Sequence, residues 1–288
     1  MDWCIVLYRT GEVMRDESAV AARRVLQKYK TLQCESTLYD LLECEHPSLL
    51  DYCRPDVSIR SIINEFVFSH YPNEVIVKAA FANQVLMKSG DCTVSAFELP
   101  VGNSRIDLCK INGSSYAFEI KSDFDSFSRL AKQLDDYTKI FEYVYLIVSK
   151  DRLSSLPDFV SDGIGIYTYV HRRNGRFTFA LHRTPQRNNE LNPIMQLQAI
   201  PTCGLKKAFP QESEIYMGNQ LIQAISEKYD SREVNRRFKR YFKNRYGDQW
   251  GFLKRQHECI YEIDYGWFFH NNVAPEMVYQ QSNQYLPN

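Results

Sequence analysis

The seven residues Tyr143–Ser149, YVYLIVS, set the strongest constraint on the fold. This apolar run, bounded by Lys150-Asp151, reads as a strand buried on both faces, and such strands sit inside covered sheets. A helical stretch over 125–142 leads straight into it, and three strand-like runs precede the helix, at 93–99, 105–111 and 116–121. Strand, crossover helix and buried strand make a βαβ unit, with its parallel strands adjacent and its crossover right-handed. Asn112-Gly113 lies in the turn joining the second and third runs, a hairpin signal. A second hairpin, 163–170 and 177–182 around Asn174-Gly175, is expected at the sheet edge. Ahead of the sheet, Asn73 is placed to cap a helix over 74–87 whose apolar face is Val75, Ala79, Ala82, Val85 and Leu86.

The rest of the chain reads as helical extensions of this α/β core. Residues 1–70 carry three helical candidates, punctuated by Pro47 and Pro55, and 191–288 is helical and aromatic-rich, with helices over 211–229 and 231–246. Three consecutive segments are therefore expected: 1–70, a core over 71–190, and 191–288. With 44% hydrophobic and 24% charged residues the chain is not disordered, and 12 glycines with 11 prolines disfavour an all-β fold built on tight turns. Lys+Arg and Asp+Glu are 35 each, so any contact with an anionic partner has to be a local patch. Eight cysteines, at 4, 34, 44, 53, 92, 109, 203 and 259, include no CxxC pair or zinc-like cluster and are read as buried thiols of a reducing compartment. The opening lacks the basic start and long apolar stretch of a signal peptide, and no window approaches the ~20 apolar residues of a membrane span. A soluble, cytoplasmic protein is expected.

The chemistry concentrates between Ser104 and Tyr137. Strand periodicity puts Ala117, Glu119 and Lys121 on one face of the third run, with Phe118 and Ile120 on the other. A carboxylate and an ammonium alternating with large apolar residues on a central strand need partners or a metal. Asp107, across the hairpin, can bring a second carboxylate beside Glu119. The two would repel, and a divalent cation between them removes the conflict, with hard oxygen ligands suiting Mg²⁺ or Mn²⁺. On this reasoning, removal of either acid leaves the fold intact or slightly more stable.

Asp107 followed twelve residues later by Glu119-Ile120-Lys121, within helix–strand–strand–strand–helix–strand order, resembles the PD-(D/E)XK nuclease superfamily. The resemblance covers roughly 73–149. It implies a restriction-endonuclease-like mixed sheet core (αβββαβ) with helical N- and C-terminal extensions, and an enzyme that hydrolyses DNA phosphodiester bonds, in phage defence or mobile-element biology. Asp107 and Glu119 would hold Mg²⁺ or Mn²⁺, with the Ile120 carbonyl a further ligand and Lys121 assisting the attacking water. Glu74 matches a helix-borne Glu near the metal, with Lys78 one turn on. Gln133 and Tyr137 match the Gln-x-x-x-Tyr of RecB-like members, although both also suit a half-buried packing face. Ile106 stands where the name-giving pattern has Pro. The sequence Glu119-Ile-Lys-Ser-Asp123, followed by Asp125-Ser-x-x-Arg129-Leu-x-x-Gln133, resembles uncharacterised bacterial and phage-associated members. Asp125 reads as a helix cap, and Arg129 as either a phosphate contact or an i, i+4 partner of Asp125. A catalytically inactive binding or interaction module on the same fold is the alternative.

Two basic features suit a phosphate backbone. One is the hairpin with Arg172, Arg173 and Arg176, near Arg183 and Arg187. The other is a helical stripe of Arg232, Arg236, Lys239 and Lys243 opposite Val234, Phe238 and Tyr241. A solvated amphipathic face explains the stripe equally well. DNA is the expected partner, with RNA open, no membrane, and a homodimer or protein partner allowed through the terminal extensions.

Overall fold

The computed structural model describes residues 14–54, 56–172, 174–214 and 218–279. First along the chain are the helices α1 (Met14–Lys28), α2 (Glu35–Glu45), α3 (Ile59–His70) and α4 (Glu74–Phe81). Strands β1 (Val94–Val101), β2 (Ser104–Ile111) and β3 (Ser115–Lys121) follow, then α5 (Leu130–Thr138), β4 (Tyr143–Ser149), β5 (Gly165–His171) and β6 (Phe177–Arg183). The remaining helices are α6 (Pro193–Gln198), α7 (Thr202–Ala208), α8 (Gly218–Lys228), α9 (Ser231–Gln256), α10 (Tyr265–Asn271) and α11 (Pro275–Tyr279). The fold is mixed α/β. Its described residues group into two compact units, one of 14–83, 170–178 and 252–279, the other of 84–169 and 179–251. These units interleave, so they differ from the three consecutive segments read from the sequence.

In the first unit the helices bury Ala22, Val25, Leu38, Leu42, Ile63 and Val67. Asn73 caps α4 as expected, its side chain accepting the Ile76 N–H at 3.2 Å. The α-helix is shorter than read, because residues Ala82–Leu86 continue as a π-helical turn. Its apolar side also differs: Ile76, Val77, Ala79, Ala80 and Phe81 are buried while Val75 is exposed. The buried guanidinium of Arg60 donates to the Tyr29 hydroxyl (2.5 Å) and to the carbonyls of Thr31 (3.0 Å) and Gln33 (2.6 Å). Asp264 accepts from Tyr29 (2.9 Å), Thr31 (2.7 Å) and Tyr279 (2.9 Å), which ties residues of the N- and C-terminal stretches into one polar cluster.

The second unit is built on a six-stranded sheet of order β1-β2-β3-β4-β5-β6. β1, β2 and β3 pair antiparallel, whereas β3–β4 and β4–β5 are parallel. The βαβ unit and its adjacent parallel strands are as the sequence predicts, and the second hairpin lies at the edge. Residues 170–178 at the outer end of that hairpin group with the first unit. The crossover helix starts later than 125. Asp125 does not cap it; its carboxylate accepts the Ser122 N–H (2.9 Å) and hydroxyl (2.6 Å), closing a turn as the chain leaves β3. α9 runs ten residues past the predicted end at 246, because no Gly–Pro stop follows and Trp250 and Leu253 continue its buried face.

Among the described residues no helix is long and apolar enough to cross a membrane. The described cysteines are free thiols. Their reading as buried holds for Cys109 on β2, whereas Cys44, Cys92, Cys203 and Cys259 are exposed; Cys4 lies outside the described residues.

Candidate active site

The register of the sheet assembles the acidic site. The antiparallel β2–β3 ladder runs from Ile111↔Ser115 to Leu108↔Phe118, so Asp107 and Glu119 occupy the next position, where the ladder ends. There the Ile120 N–H donates to the Asp107 carboxylate at 2.7 Å. Glu119 and Lys121 lie on the same face of β3, toward the carboxyl ends of the parallel pair β3–β4, the usual place for ligands in sheets of this kind. All three are buried, with Asp107 and Lys121 7% and Glu119 1% exposed.

Both oxygens of Glu119 are engaged. Oε1 accepts from the Lys121 ammonium, and Oε2 faces the Tyr137 hydroxyl at 2.9 Å. That hydroxyl is equally close to the Arg105 carbonyl, so its single proton is shared between two acceptors. Burial, and then the carboxylates of Glu119 and Asp107, hold the Tyr137 phenol far above its ordinary range, so it remains a donor. Gln133, one turn before Tyr137 on α5, donates to the same hydroxyl. Its buried Oε1 has no hydrogen-bond partner among the described residues. The structure thus brings together Asp107, Glu119, Lys121, Gln133 and Tyr137. Ile120 keeps its side chain in the apolar layer, fully buried.

The donor chemistry fits a hard divalent cation. Among the described residues no group of three His, Cys, Asp or Glu side chains stands ready to hold one. Mg²⁺, however, is commonly held by one or two carboxylates and several waters rather than by an all-protein cage. Two buried carboxylates and an oxygen lacking a donor suit that mode.

Glu74 opens α4 in the first unit, where the buried Lys78 ammonium donates to it at 3.1 Å. Arg129 is exposed and pairs with no carboxylate among the described residues, since Asp125 is outside the helix and the i, i+4 spacing has no meaning there. Arg172 and Arg176 are exposed at the hairpin tip, and Arg173 lies outside the described residues. Arg183 is spent on the carbonyls of Ile164 and Ser161. In the α9 stripe, Arg232 is exposed and Lys243 half-buried, but Arg236 is chelated by Glu233. Lys239 donates to Glu142 (2.9 Å) and to the Gly113 carbonyl (2.7 Å), which makes it an internal tie. Opposite the stripe, Val234 and Phe238 are buried, whereas Tyr241 is half-buried over Gly204, where a Cβ would stand 2.5 Å from its ring.

Sequence reasoning passed over two polar groups beside the site. Ser149 donates to Asp123, and the Arg152 guanidinium donates to the Ser122 carbonyl while lying 4.0 Å over the Phe127 ring. Together they hold the turn that follows Lys121. The only available signal was the Ser-Asp-x-Asp run after Lys121.

The family model of bacteriophage P4 protein cII matches residues 68–261, more than half of the chain and all of the acidic site. The chain belongs to this family. Over 167 residues it is 30% identical to protein cII of Enterobacteria phage P4, covering 56% of this chain and 62% of that one. The chain thus spans less than two thirds of its relative's length. Among solved structures, a protein of unknown function from Silicibacter pomeroyi aligns with 53% of this chain and 92% of its own, at 13% identity and a TM-score of 0.31.

Proposed function

We propose that the protein is a metal-dependent nuclease that hydrolyses phosphodiester bonds of DNA, on a restriction-endonuclease-like core. One observation carries this reading: Asp107, Glu119 and Lys121 share one buried face where β2 and β3 part, with Tyr137 and Gln133 steadying Glu119. The order α4, β1, β2, β3, α5, β4 supports it, being the αβββαβ arrangement of PD-(D/E)XK enzymes. Asp107 and Glu119, with the Ile120 carbonyl, would hold Mg²⁺ or Mn²⁺. Such an ion supplies Lewis acidity and a water of lowered pKa. Lys121 places a positive charge where negative charge develops on a phosphate. Tyr137 stays protonated and fixes the Glu119 carboxylate, while Arg172, Arg176 and Arg232 remain candidates for backbone contact. Kinship with a phage protein supports a setting in phage defence or mobile-element biology, in the cytoplasm.

A second reading, a binding module without turnover, draws on the occupation of both Glu119 oxygens by Lys121 and Tyr137. The two readings separate when the protein is incubated with Mg²⁺ or Mn²⁺ and labelled linear, circular and single-stranded DNA, and RNA. Cleavage of DNA that chelator abolishes is the expected result. Binding without cleavage of any substrate would favour the module.

A further inference from the structure

The face of the sheet opposite the carboxylates carries a second, unassigned array. Lys110 pairs with Tyr116 and Tyr116 with Tyr143 in the strand register, and Phe118 pairs with Tyr145. Tyr116 is three residues from Glu119, and an odd separation on a strand means opposite faces. The rings stack across the strands: Tyr116 on Tyr143 with centroids 4.9 Å apart, Phe118 on Tyr145 at 5.1 Å, and Tyr145 beside Tyr167 at 5.2 Å. Gly165 makes room for this row, because a Cβ there would stand 2.6 Å from the Tyr145 ring. Each stacked pair spends its ring faces on a neighbour. The half-exposed Tyr116, Tyr143, Tyr145 and Tyr167 therefore keep their hydroxyl-bearing edges rather than flat surfaces for a ligand, and the Tyr116 hydroxyl also bonds to Ser114 and Asn112.

The charges around the row are Lys110, Arg187 and Lys239 against one carboxylate, Glu142. The Lys110 ammonium lies 4.5 Å over the Tyr116 ring, and among the described residues no carboxylate pairs with it. Burial alone pulls its pKa down, the mark of a cation short of a counter-charge. At the other side, Arg187 stands near Tyr143 and Tyr116, and it shares the single carboxylate of Glu142 with Lys239. The hydroxyl of Tyr145 is pushed up to about 12 by burial and by Tyr167, Tyr116 and Tyr143, so the row consists of protonated donors at neutral pH.

We propose that this tyrosine row binds the phosphodiester backbone of a single DNA strand. Phenol hydroxyls, a lysine ammonium and an arginine guanidinium are donors that phosphate oxygens take. The row runs obliquely, since Tyr143 is level with Tyr116 but Tyr167 with Ile147. It covers about 14 Å across β2 to β5 and about 13 Å along the strands, and a single row follows one backbone. The site needs no metal and stands apart from the nuclease reading, so each can fail without the other.

The test is fluorescence anisotropy of a labelled oligothymidylate in EDTA, with the whole chain. Replacing Tyr116, Tyr143, Tyr145 and Tyr167 together with Phe keeps the rings stacked and removes the donors. Affinity should fall at least tenfold with the slope of log K against log salt unchanged, because neutral donors release no counterions. Lys110→Gln should instead reduce that slope by about 0.7, the value for one contact on a single strand. Melting curves check that both variants fold; if the quadruple variant does not, the Lys110→Gln slope decides. The proposal falls if the wild type binds no strand, if the quadruple variant binds as tightly as wild type, or if Lys110→Gln leaves the slope unmoved. Equal competition by duplex of the same length would also overturn the single-strand assignment.

Discussion

Lys121 and Glu119 lie two residues apart on β3, and their ion pair is closed off from solvent together with the Tyr137 hydroxyl. Repulsion between Asp107 and Glu119, read from the sequence, implies that losing either acid is harmless or stabilising. The geometry argues otherwise, because each carboxylate has taken a donor. Glu119→Gln leaves the Lys121 ammonium buried without its counter-charge, and breaking a buried pair costs about 3–5 kcal/mol. Adding Lys121→Met should recover most of that loss, and urea denaturation of the single and double variants measures the recovery. If the single variant is as stable as wild type, the pair is not closed in solution. Asp107 is a milder case. Asp107→Ala orphans the buried Ile120 N–H, at about 1–3 kcal/mol, while Asp107→Asn keeps an acceptor and should lose less than half as much. Equal losses by the same measurement would mean that the N–H is satisfied in another way.

Glu142, between α5 and β4, joins three elements by its carboxylate. It accepts from the Ser115 N–H at the start of β3, from Lys239 on α9 and from Arg187 beyond β6. Burial works against its charge, but the bonds from Lys239, Arg187 and Ser115 outweigh burial and leave its pKa below the ordinary 4.5. A carboxylate lowered in the folded state contributes stability that is complete above its unfolded pKa and disappears as pH falls through the folded one. The wild type should therefore lose stability below about pH 4.5, and Glu142→Gln should be less stable at pH 7 with a flatter profile through that window. Parallel profiles, from denaturant midpoints at several pH values, would remove Glu142 from the acid response. The sequence showed the strands on either side of Glu142 because each announces itself by local pattern: YVYLIVS by its apolar run, β2 and β3 by alternation around Asn112-Gly113. α5 starts at Leu130 rather than 125 for a reason of the same kind. Asp125 has the side chain of a helix cap, and only the fold shows it bonding backwards to Ser122. Lys239 likewise has the spacing of a basic stripe, yet its partners lie 97 and 126 positions away.

For the molecule as a whole, the features carried by adjacent segments were legible and those carried by distant ones were not. The six strands follow one another in space as in sequence, so hairpin and βαβ rules sufficed to order them. The cluster of Arg60, Tyr29, Thr31, Asp264 and Tyr279 left no signature, because no periodicity connects residues two hundred positions apart. Burial raises the Asp264 pKa despite three hydrogen bonds and Arg60, so the cluster is strongly desolvated. Arg60→Met should cost about 3–5 kcal/mol by leaving Asp264 buried without its cation. Pairing it with Asp264→Asn should restore part of that in urea melts, and no restoration would mean that Arg60 acts through its carbonyl contacts alone. At the site itself, Asp107, Glu119, Lys121, Gln133 and Tyr137 were legible because strand and helix periods fix which side chains share a face. The bonds that tie them were not, because those depend on where the β2–β3 ladder ends. The proposed activity of these residues is metal-dependent cleavage of DNA. It is tested most directly by the rate at which wild type and Glu119→Gln cleave end-labelled linear DNA in Mn²⁺ under single-turnover conditions. Chelator-sensitive cleavage by wild type and a loss of several orders of magnitude in the variant are expected, whereas equal rates in the two proteins would rule out a catalytic site at Glu119.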